Sequence, residues 1–340
     1  MTRVFLIFMH NRGENMKLVS IVVPVFNEED NIQIFYQEVC KYMESLPYQF
    51  ELIFVDDGSK DGTPLLLEKL TQQDSRVRGL ILARNFGHQL ALTCGLDHAD
   101  GEGVITMDGD MQHPPEMLPL LLAKWEEGFE VVQTIRVSTE GVSWFKSLTS
   151  SLYYKVINKL SKVHIQEGGS DFRLLDKAVV KSFRRFKERA RFIRGMIGAI
   201  GYKQVMVEFI APKRYAGTSK FSLSRMMHFA LDGITAYSKL PLRFAFYIGL
   251  LFALISFAVT MHVIYIKLFT IEAVPGWATI TASILLLGGL QLLGLGIIGE
   301  YIGRIFEEVK QRPLYLVRLE LQHQSKESRN LEKCINNDEK

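Results

Sequence analysis

Short apolar runs alternate with polar, helix-compatible stretches over residues 17–135. Four runs are rich in β-branched residues and predict strands: LVSIVVPV (Leu18–Val25), ELIFVDD (Glu51–Asp57), VRGLILA (Val77–Ala83) and GVITMDGD (Gly103–Asp110). Strands that alternate with helices favour a mostly parallel sheet covered by helices. Because ligands of such sheets bind at the carboxyl ends of the strands, we expect the functional residues there.

Two longer apolar runs near the C terminus have a different character. Phe244–Ile266 contains one strongly polar residue, His262, and Trp277–Gly299 contains one, Gln291. Each run is long enough to cross a hydrocarbon core of about 30 Å as a helix. The short connection at 267–276 then predicts a transmembrane hairpin with both ends on one side, against the alternative of two buried helices in a soluble core.

The basic residues predict the orientation of this hairpin. The connection between the two runs contains only Lys267, whereas the flanks contain several basic residues: Arg225, Lys239, Arg243, Arg304, Lys310, Arg312 and Arg318. The positive-inside bias places the N-terminal part and both termini in the cytoplasm. We therefore expect a multi-pass protein of the inner (cytoplasmic) membrane.

The pattern divides the chain into six segments. They are an N-terminal extension (1–16), a catalytic domain (17–221), an amphipathic interfacial helix (222–243), two spans (244–266 and 277–299) and a polar C-terminal tail (300–340). In the interfacial segment, apolar and charged residues mix as they do in helices that lie on a bilayer surface. Gly299 and Gly303 form one GxxxG pair that could pack helices between protomers, so a homo-oligomer is one expectation.

The composition of the chain argues against several kinds of partner and site. The mean hydropathy of +0.09 exceeds that of an ordinary soluble enzyme because of the two apolar runs. Forty basic residues against 37 acidic ones give a net charge of +3, which argues against a nucleic-acid partner. The three cysteines show no spacing typical of a disulfide framework or a zinc site.

Polar clusters follow all four predicted strands. They are PVFNEE (Pro24–Glu29), DDGS (Asp56–Ser59), ARNFGHQ (Ala83–Gln89) and DGDMQHPPE (Asp108–Glu116). Each alone is compatible with an ordinary turn or helix cap, but together they suit one shared crevice. The absence of GxGxxG after the first strand and of GxxxxGK[ST] disfavours a dinucleotide site and a P-loop.

Asp108 and Asp110 are the strongest metal-binding candidates. At positions i and i+2 after a strand, their carboxylates can face the same side, and Gly109 keeps the intervening backbone permissive. Hard carboxylate oxygens in a pair suit Mg²⁺ or Mn²⁺ shared with a diphosphate.

The ordered motifs PVFNEE, DDGSKDGT, RNFGHQLAL, DGDMQHPPE, SDFRLLD and RYAGTSKF match a known pattern. From about Leu18 to Pro313 the sequence resembles the inverting GT-A glycosyltransferases of family 2 that use polyprenyl phosphates, such as bactoprenol glucosyltransferases and dolichyl-phosphate mannose synthases. Phe26 stands where many relatives have Tyr. The resemblance implies transfer of a hexose from a nucleotide sugar, such as UDP-glucose, to undecaprenyl or another polyprenyl phosphate.

The resemblance also implies roles for individual residues. Those expected around the nucleoside are Pro24, Phe26, Glu28 and Asp57, with Asp57 accepting from the base imide. Those expected at ribose, metal and diphosphate are Asp108, Gly109, Asp110 and Gln112. Asp56, by contrast, is expected to cap or brace its loop.

Asp171 and Arg173 follow a Gly pair in EGGSDFRLLD. Asp171 is either a catalytic group near the acceptor, acting as a base, or a structural partner for Arg173 or for a backbone N–H. A phosphate monoester is largely dianionic at pH 7, so it needs alignment more than deprotonation. The cations expected to bind the phosphates are Arg136, Arg173, Arg214 and Lys220. For Arg84 and His88, a structural hydrogen bond is as good an interpretation as a ligand role.

Two rival functions remain. A processive polysaccharide synthase of the same fold would need a channel and a QxxRW motif, and neither Trp125, Trp144 nor Trp277 lies in such a motif. A non-enzymatic membrane sensor of nucleotide sugars would not need the Asp108, Asp110 and Asp171 set.

Overall fold

A computed structural model describes residues 16–137, 169–189, 191–210, 240–269 and 276–323 of the chain. These residues belong to two compact units, one containing a sheet and its helices and the other containing two long helices. Several predictions concern other parts of the chain: the extension up to residue 15, the interfacial helix before residue 240, Arg214, Lys220 and the tail beyond residue 323. These lie outside the described residues.

The described part of the first unit contains one eight-stranded sheet of order β7-β5-β6-β4-β1-β2-β3-β8. Its strands are β1 (Leu18–Val25), β2 (Gln49–Asp56), β3 (Val77–Leu82), β4 (Gly103–Thr106), β5 (Val131–Arg136), β6 (Gly169–Asp176), β7 (Gln204–Phe209) and β8 (Val317–Leu321). β1 lies parallel to β2 and β4, and β2 lies parallel to β3. The four predicted strands therefore form the parallel centre of the sheet.

Helices follow the strands in the expected α/β manner. They are α1 (Ile32–Met43), α2 (Thr63–Gln73), α3 (His88–His98), α4 (Leu118–Glu126), α5 (Lys177–Phe183), α6 (Ile193–Ile200), α7 (Leu240–Phe269) and α8 (Trp277–Val309), with a short 3₁₀ turn at Pro115–Met117. The central strands are buried on both faces, as their near-continuous apolar runs predict. α3 packs closely on β1, since a Cβ added at Gly95 would lie 2.1 Å from Val22 Cγ1.

The fourth strand is shorter than predicted. β4 ends at Thr106 instead of Asp110, and β6 pairs with it antiparallel. Met107 still donates its N–H to the Val22 carbonyl at 3.1 Å, but the chain then turns, and Met111 has a φ of +62°. Asp108 and Asp110 therefore lie in a loop beyond the strand, where their side chains are accessible.

The segment after the long helices departs from the predicted tail at 300–340. α8 continues to Val309, and β8 then adds antiparallel to the edge of β3. Tyr315 donates its hydroxyl to Asp97 Oδ2 at 2.9 Å, and Arg78 pairs with Glu320 at 3.2 Å. The segment VRLEL alternates apolar and charged residues, which is the pattern of a strand with one apolar face.

The second unit contains α7 and α8, which contact each other. Both helices expose large apolar side chains, for example Phe246 and Phe257 of α7 and Leu292 of α8. By length and composition, one stretch of the described residues, Leu286–Val309, is able to cross a membrane, with a mean hydropathy of 1.4 and none of it buried. The two-span hairpin remains a prediction.

Candidate active site

The loops after β1 and β2 are joined by hydrogen bonds. Asn27, at a φ of +54°, donates its N–H to Ser59 Oγ at 2.8 Å and accepts the Lys60 N–H at 2.9 Å through Oδ1. Glu28 donates its N–H to Thr63 Oγ1 at 3.0 Å, and Glu29 Oε2 accepts the Gly62 N–H. The PVFNEE and DDGSKDGT motifs thus form one platform at the carboxyl ends of the strands.

The two adjacent carboxylates after β2 organise different loops. Asp56 is fully buried and accepts the Ser59 N–H at 3.1 Å, which confirms its predicted role as a brace. Asp57 accepts the N–H groups of Phe86 and Gly87 at 2.6 and 2.9 Å. Burial raises the pKa of both carboxyls, although these hydrogen bonds oppose it. Asp57 therefore ties β2 to the RNFGHQ loop, while each of its oxygens keeps a second lone pair for a ligand.

Gly58 allows the loops after β2 and β3 to approach each other. Its φ is +72°, and an added Cβ would lie 2.6 Å from the Arg84 carbonyl carbon and 2.8 Å from the Asn85 nitrogen. We expect Gly58→Ala to lower the free energy of unfolding by about 1–3 kcal/mol and to weaken nucleotide binding, because backbone must move. Thermal unfolding and nucleotide titration measure both effects.

Gly128→Ala is the matched control for this prediction. Gly128 has a φ of +85°, but nothing lies within 4 Å of an added Cβ. The control therefore carries the conformational cost without the clash, and its nucleotide affinity should be that of the wild type. Equal nucleotide affinity in Gly58→Ala and Gly128→Ala would contradict the close approach as a feature of the site.

His113 holds the loop that carries the acidic pair. Its Nδ1 accepts the Asp108 N–H at 2.7 Å, so its Nε2 carries the proton and donates to Ser170 Oγ at 2.7 Å. The buried ring stacks on Phe172 with centroids 5.1 Å apart. The DGDMQH loop is thereby fastened to β6.

The acidic pair has the donor set of a metal site shared with a ligand. Asp108 is one-third exposed, and Asp110 Oδ1 accepts the Gln112 N–H at 3.1 Å. A Cβ added at Gly109 would lie 2.9 Å from Val25 Cγ1, so the turn packs closely on β1. Nowhere in the described part of the chain do three or more His, Cys, Asp or Glu side chains group as metal ligands. A two-carboxylate site fits a Mg²⁺ or Mn²⁺ ion that completes its shell with phosphate oxygens and water.

Asp171 is surrounded by donors at the start of β6. Its Oδ1 accepts from Arg173 at 2.7 Å and from Arg194 at 3.0 Å, and its Oδ2 accepts from Gln89 at 3.3 Å. Burial favours the neutral acid, but Arg194, His88 and Arg173 outweigh it and hold the pKa of Asp171 well below its usual range. A carboxylate held in this way accepts a proton poorly, so the geometry favours the partner interpretation over the base interpretation.

Arg173, one of the predicted phosphate-binding cations, lies buried beside Asp171. Its side chain is 1% exposed and its Nη2 donates to Asp171 and to the Ser170 carbonyl. Burial lowers the pKa of Arg173 to about 10, although Asp171 opposes this. Asp171 and Arg173 share one face of β6, and both side chains are buried there, so the Arg173 guanidinium contacts Asp171 instead of opening to the crevice. Arg194, whose side chain is 34% exposed, is the accessible arginine on this carboxylate.

His88 connects the two acidic groups. Its Nε2 lies 3.5 Å from Asp108 Oδ1 and 3.6 Å from Asp171 Oδ2. Burial opposes a charge here, but the carboxylates of Asp108 and Asp171 outweigh it and raise the pKa of His88 to about 9. His88 is the first residue of α3, after Gly87 at a φ of +100°. The sequence did not distinguish a ligand role from a structural hydrogen bond for His88. Its position in a Gly-His pair that follows a strand was the feature that could have indicated a role in the site.

The other predicted residues lie at the same edge with differing exposure. Pro24 is buried within β1, whereas Phe26, directly after β1, is 38% exposed. Glu28 Oε2 accepts from Asn31 Nδ2 at 2.6 Å. Arg136 ends β5, and its buried Nε has no hydrogen-bond partner among the residues that the structure describes. Phe26 is thus the ring most open to a ligand, and Arg136 retains donor capacity.

The chain is similar to known proteins over most of its length. The model for glycosyl transferase family 2 matches residues 20–184, and that for the GtrB C-terminal hairpin matches residues 240–305. A Shigella flexneri protein named SfII prophage-derived bactoprenol glucosyl transferase is 42% identical over 300 residues, which cover 88% of this chain and 97% of that protein. An uncharacterized glycosyltransferase of Bacillus subtilis is 41% identical over 299 residues, covering 88% and 93%.

Among solved structures, the mannosyl-3-phosphoglycerate synthase of Rubrobacter xylanophilus is similar with a TM-score of 0.47 and 17% identity. The match covers 65% of this chain and 73% of that one.

Proposed function

Since the chain belongs to glycosyl transferase family 2 and carries a GtrB C-terminal hairpin, we propose that it transfers a hexose from a nucleotide sugar, preferentially a UDP-sugar such as UDP-glucose, to undecaprenyl or another polyprenyl phosphate. The observation that carries the proposal is the crevice in which His88 Nε2 lies 3.5 Å from Asp108 Oδ1 and 3.6 Å from Asp171 Oδ2, with Asp110 on the same loop as Asp108. Relatives 42% identical to the chain are named bactoprenol glucosyl transferase, which supports a lipid phosphate acceptor.

The strand ends would bind the donor. Phe26 offers an exposed ring to the base, and the remaining lone pairs of Asp57 suit a base imide. Gln112 orients Asp110 through its N–H, and Asp108 is fixed by His113. Asp108 and Asp110 would hold Mg²⁺ or Mn²⁺, which offsets negative charge on the diphosphate when bound.

The reaction proposed is a single displacement with inversion. An oxygen of the acceptor phosphate forms a bond to the anomeric carbon while the bond from that carbon to the diphosphate oxygen breaks with its electron pair. The acceptor monoester has a second pKa near 6, so it attacks largely as the dianion, and no side chain has to remove a proton. Asp171 then serves to hold Arg194 and His88 in place.

Bringing two anions together requires cations near the acceptor. Arg194 and His88, whose pKa is raised to about 9, lie beside Asp171. Arg136 ends β5 with donor capacity, while Arg214 and Lys220 of the KRYAGTSKF motif precede the hairpin in sequence. We propose that Arg136, Arg194, Arg214 and Lys220 supply charge-assisted contacts to the phosphates.

The predicted membrane placement is part of the proposal. Two spans at 244–266 and 277–299, with a cytoplasmic catalytic domain, would hold the enzyme where a polyprenyl phosphate presents its headgroup. Segment 222–243 would lie at the bilayer surface and bring the lipid to a water-soluble donor. The exposed apolar side chains of α7 and α8 support a lipid environment.

Lys220→Ala tests the acceptor side. We expect the KM for the lipid phosphate to rise roughly tenfold or more, with a much smaller change in the KM for the donor, because a charge-assisted contact to the lipid phosphate is lost. Initial-rate kinetics with each substrate varied measure this split. Lys187→Ala, an exposed lysine after α5, is the control and should leave both constants unchanged. An equal rise in both would instead assign Lys220 to the donor diphosphate.

A donor panel tests the sugar and the nucleotide. Purified protein with undecaprenyl phosphate is assayed with UDP-glucose, UDP-galactose, UDP-N-acetyl sugars and GDP-mannose. We expect the highest kcat/KM with a UDP-hexose. A preference for GDP-mannose would overturn the uridine assignment and leave the acceptor assignment standing.

A further inference from the structure

A cavity of about 770 Å³ lies at the edge of the sheet, beside the proposed nucleoside site. It shares Phe26, Asp56 and Gly58 with the platform at the ends of β1 and β2, and it extends along α2 and the end of β3. Its outer wall is β8, the strand that follows the long helices in sequence. The pocket that begins at the donor platform is therefore completed by the C-terminal segment.

β8 is held in place independently of any ligand. Leu316 accepts the Ala83 N–H at 2.8 Å, and the register pairs Leu319 with Ile81 and Val317 with Leu82. The register shifts between Ile81 and Leu82, which leaves Arg318 opposite the irregular step. Arg318 is thereby held at the wall of the cavity, which it lines.

The lining of the cavity is rich in hydrogen-bond donors. Lys60, Arg84 and Arg318 all line it, and Arg84 lies with its guanidinium carbon 4.1 Å from the Phe86 ring centroid. No ion pair joins Lys60 or Arg318 to another residue within the described ranges. The Asp56 carboxylate on the same wall already accepts the Ser59 N–H. The Glu68 carboxylate also lines the cavity, so the wall carries acceptors as well as donors. Guanidinium and ammonium groups only donate, so the positions of Lys60, Arg84 and Arg318 suit a ligand edge that carries oxygen acceptors.

We propose that Arg318 is a donor-binding residue whose guanidinium binds a carbonyl oxygen of a keto base, uracil or guanine, and disfavours the exocyclic amino group that cytosine or adenine carries at that position. The inference rests on the proposed function and deepens it, since it makes the strand after the hairpin part of the nucleotide site. The segment predicted as a plain tail would then help to select the nucleotide.

Nucleotide titration of the full-length protein tests the assignment. UDP and CDP are titrated, each with Mn²⁺, into the wild type, Arg318→Ala and Arg318→Lys. We expect Arg318→Ala to weaken UDP binding roughly tenfold to hundredfold, with little change for CDP, since a charge-assisted hydrogen bond is lost. Arg318→Lys should recover part of the affinity. In the transfer assay, the KM for the UDP-sugar should rise by a similar factor and the KM for the lipid phosphate should not.

Glu320→Gln is the matched control. Glu320 lies on the same strand and pairs with Arg78 at 3.2 Å, but it does not line the cavity. It should bind UDP within about twofold of the wild type. An unchanged UDP affinity in Arg318→Ala, an equal loss in Glu320→Gln, or equal losses for UDP and CDP would each overturn the assignment. A wild type that binds no nucleotide would overturn the proposed function itself, whereas binding with an insensitive Arg318→Ala overturns only this inference.

Discussion

Asp110→Asn is expected to abolish sugar transfer while the protein still folds and inserts. Asn keeps the size of the side chain and can still accept the Gln112 N–H that Asp110 Oδ1 accepts at 3.1 Å, so the loop should persist. It removes one of the two negative charges that would hold a divalent ion against the diphosphate. Loss of that charge compensation should lower kcat/KM by roughly a thousandfold or more.

Rates measured against increasing Mg²⁺ and Mn²⁺ test this expectation. Metal-dependent nucleotide binding should be lost together with the rate, whereas thermal unfolding should change little. Glu102→Gln is the control, because Glu102 is exposed next to the opposite end of β4. Full wild-type activity in the absence of divalent metal would refute the metal assignment.

Asp171→Asn has the second largest expected effect, and it acts on stability as well as on rate. The change leaves the fully buried Arg173 without its charged partner and loosens Arg194. Breaking a buried ion pair by removing one partner costs about 3–5 kcal/mol of folding free energy. We also expect kcat to fall by roughly tenfold to a hundredfold, because His88 and Arg194 lose the carboxylate that positions them.

Denaturant unfolding and steady-state kinetics separate positioning from base catalysis. Asp100→Asn, whose carboxylate is three-quarters exposed and lies 3.3 Å from Arg78, should cost less than 1 kcal/mol. Because the pKa of folded Asp171 lies below its unfolded value near 3.9, its stabilisation is present above that value and is lost as the pH falls. The stability difference between the wild type and Asp171→Asn should therefore shrink on acidification. A variant of unchanged stability and no activity would support the base interpretation instead.

The centre of the sheet could be predicted because each strand there is a β-branched run that ends in polar residues. β1 has the bounds predicted, Leu18–Val25, and β2 and β3 differ by one or two residues at their ends. The loops after them meet because parallel strands end at one edge. β4 ends at Thr106, before the predicted end at Asp110, because the chain turns out of the sheet at the DGD motif. Strand propensity alone does not predict that turn.

The interactions between distant parts of the chain were less predictable. His88, Asp171 and Arg194 come together only after α3, β6 and α6 pack against one another. The hydrogen bond from Gln89 to Asp171, for example, joins residues that are 82 positions apart, and no local sequence pattern predicts such a contact. Arg173 was predicted to bind phosphate because arginine side chains are usually exposed, but on β6 its side chain is buried. β8 was missed because an edge strand of five residues with alternating charges resembles a solvated tail.

Analysis of the product formed with undecaprenyl phosphate tests the central claim most directly. Purified full-length protein is incubated with a radiolabelled nucleotide sugar and the lipid, and the mixture is extracted into organic solvent. We expect label in the organic phase, absent without lipid phosphate, and a mass that corresponds to one hexose per undecaprenyl phosphate. Label in an insoluble polymer would indicate a processive synthase, and a bound but unreacted donor would indicate a sensor; either result would contradict the proposed transfer.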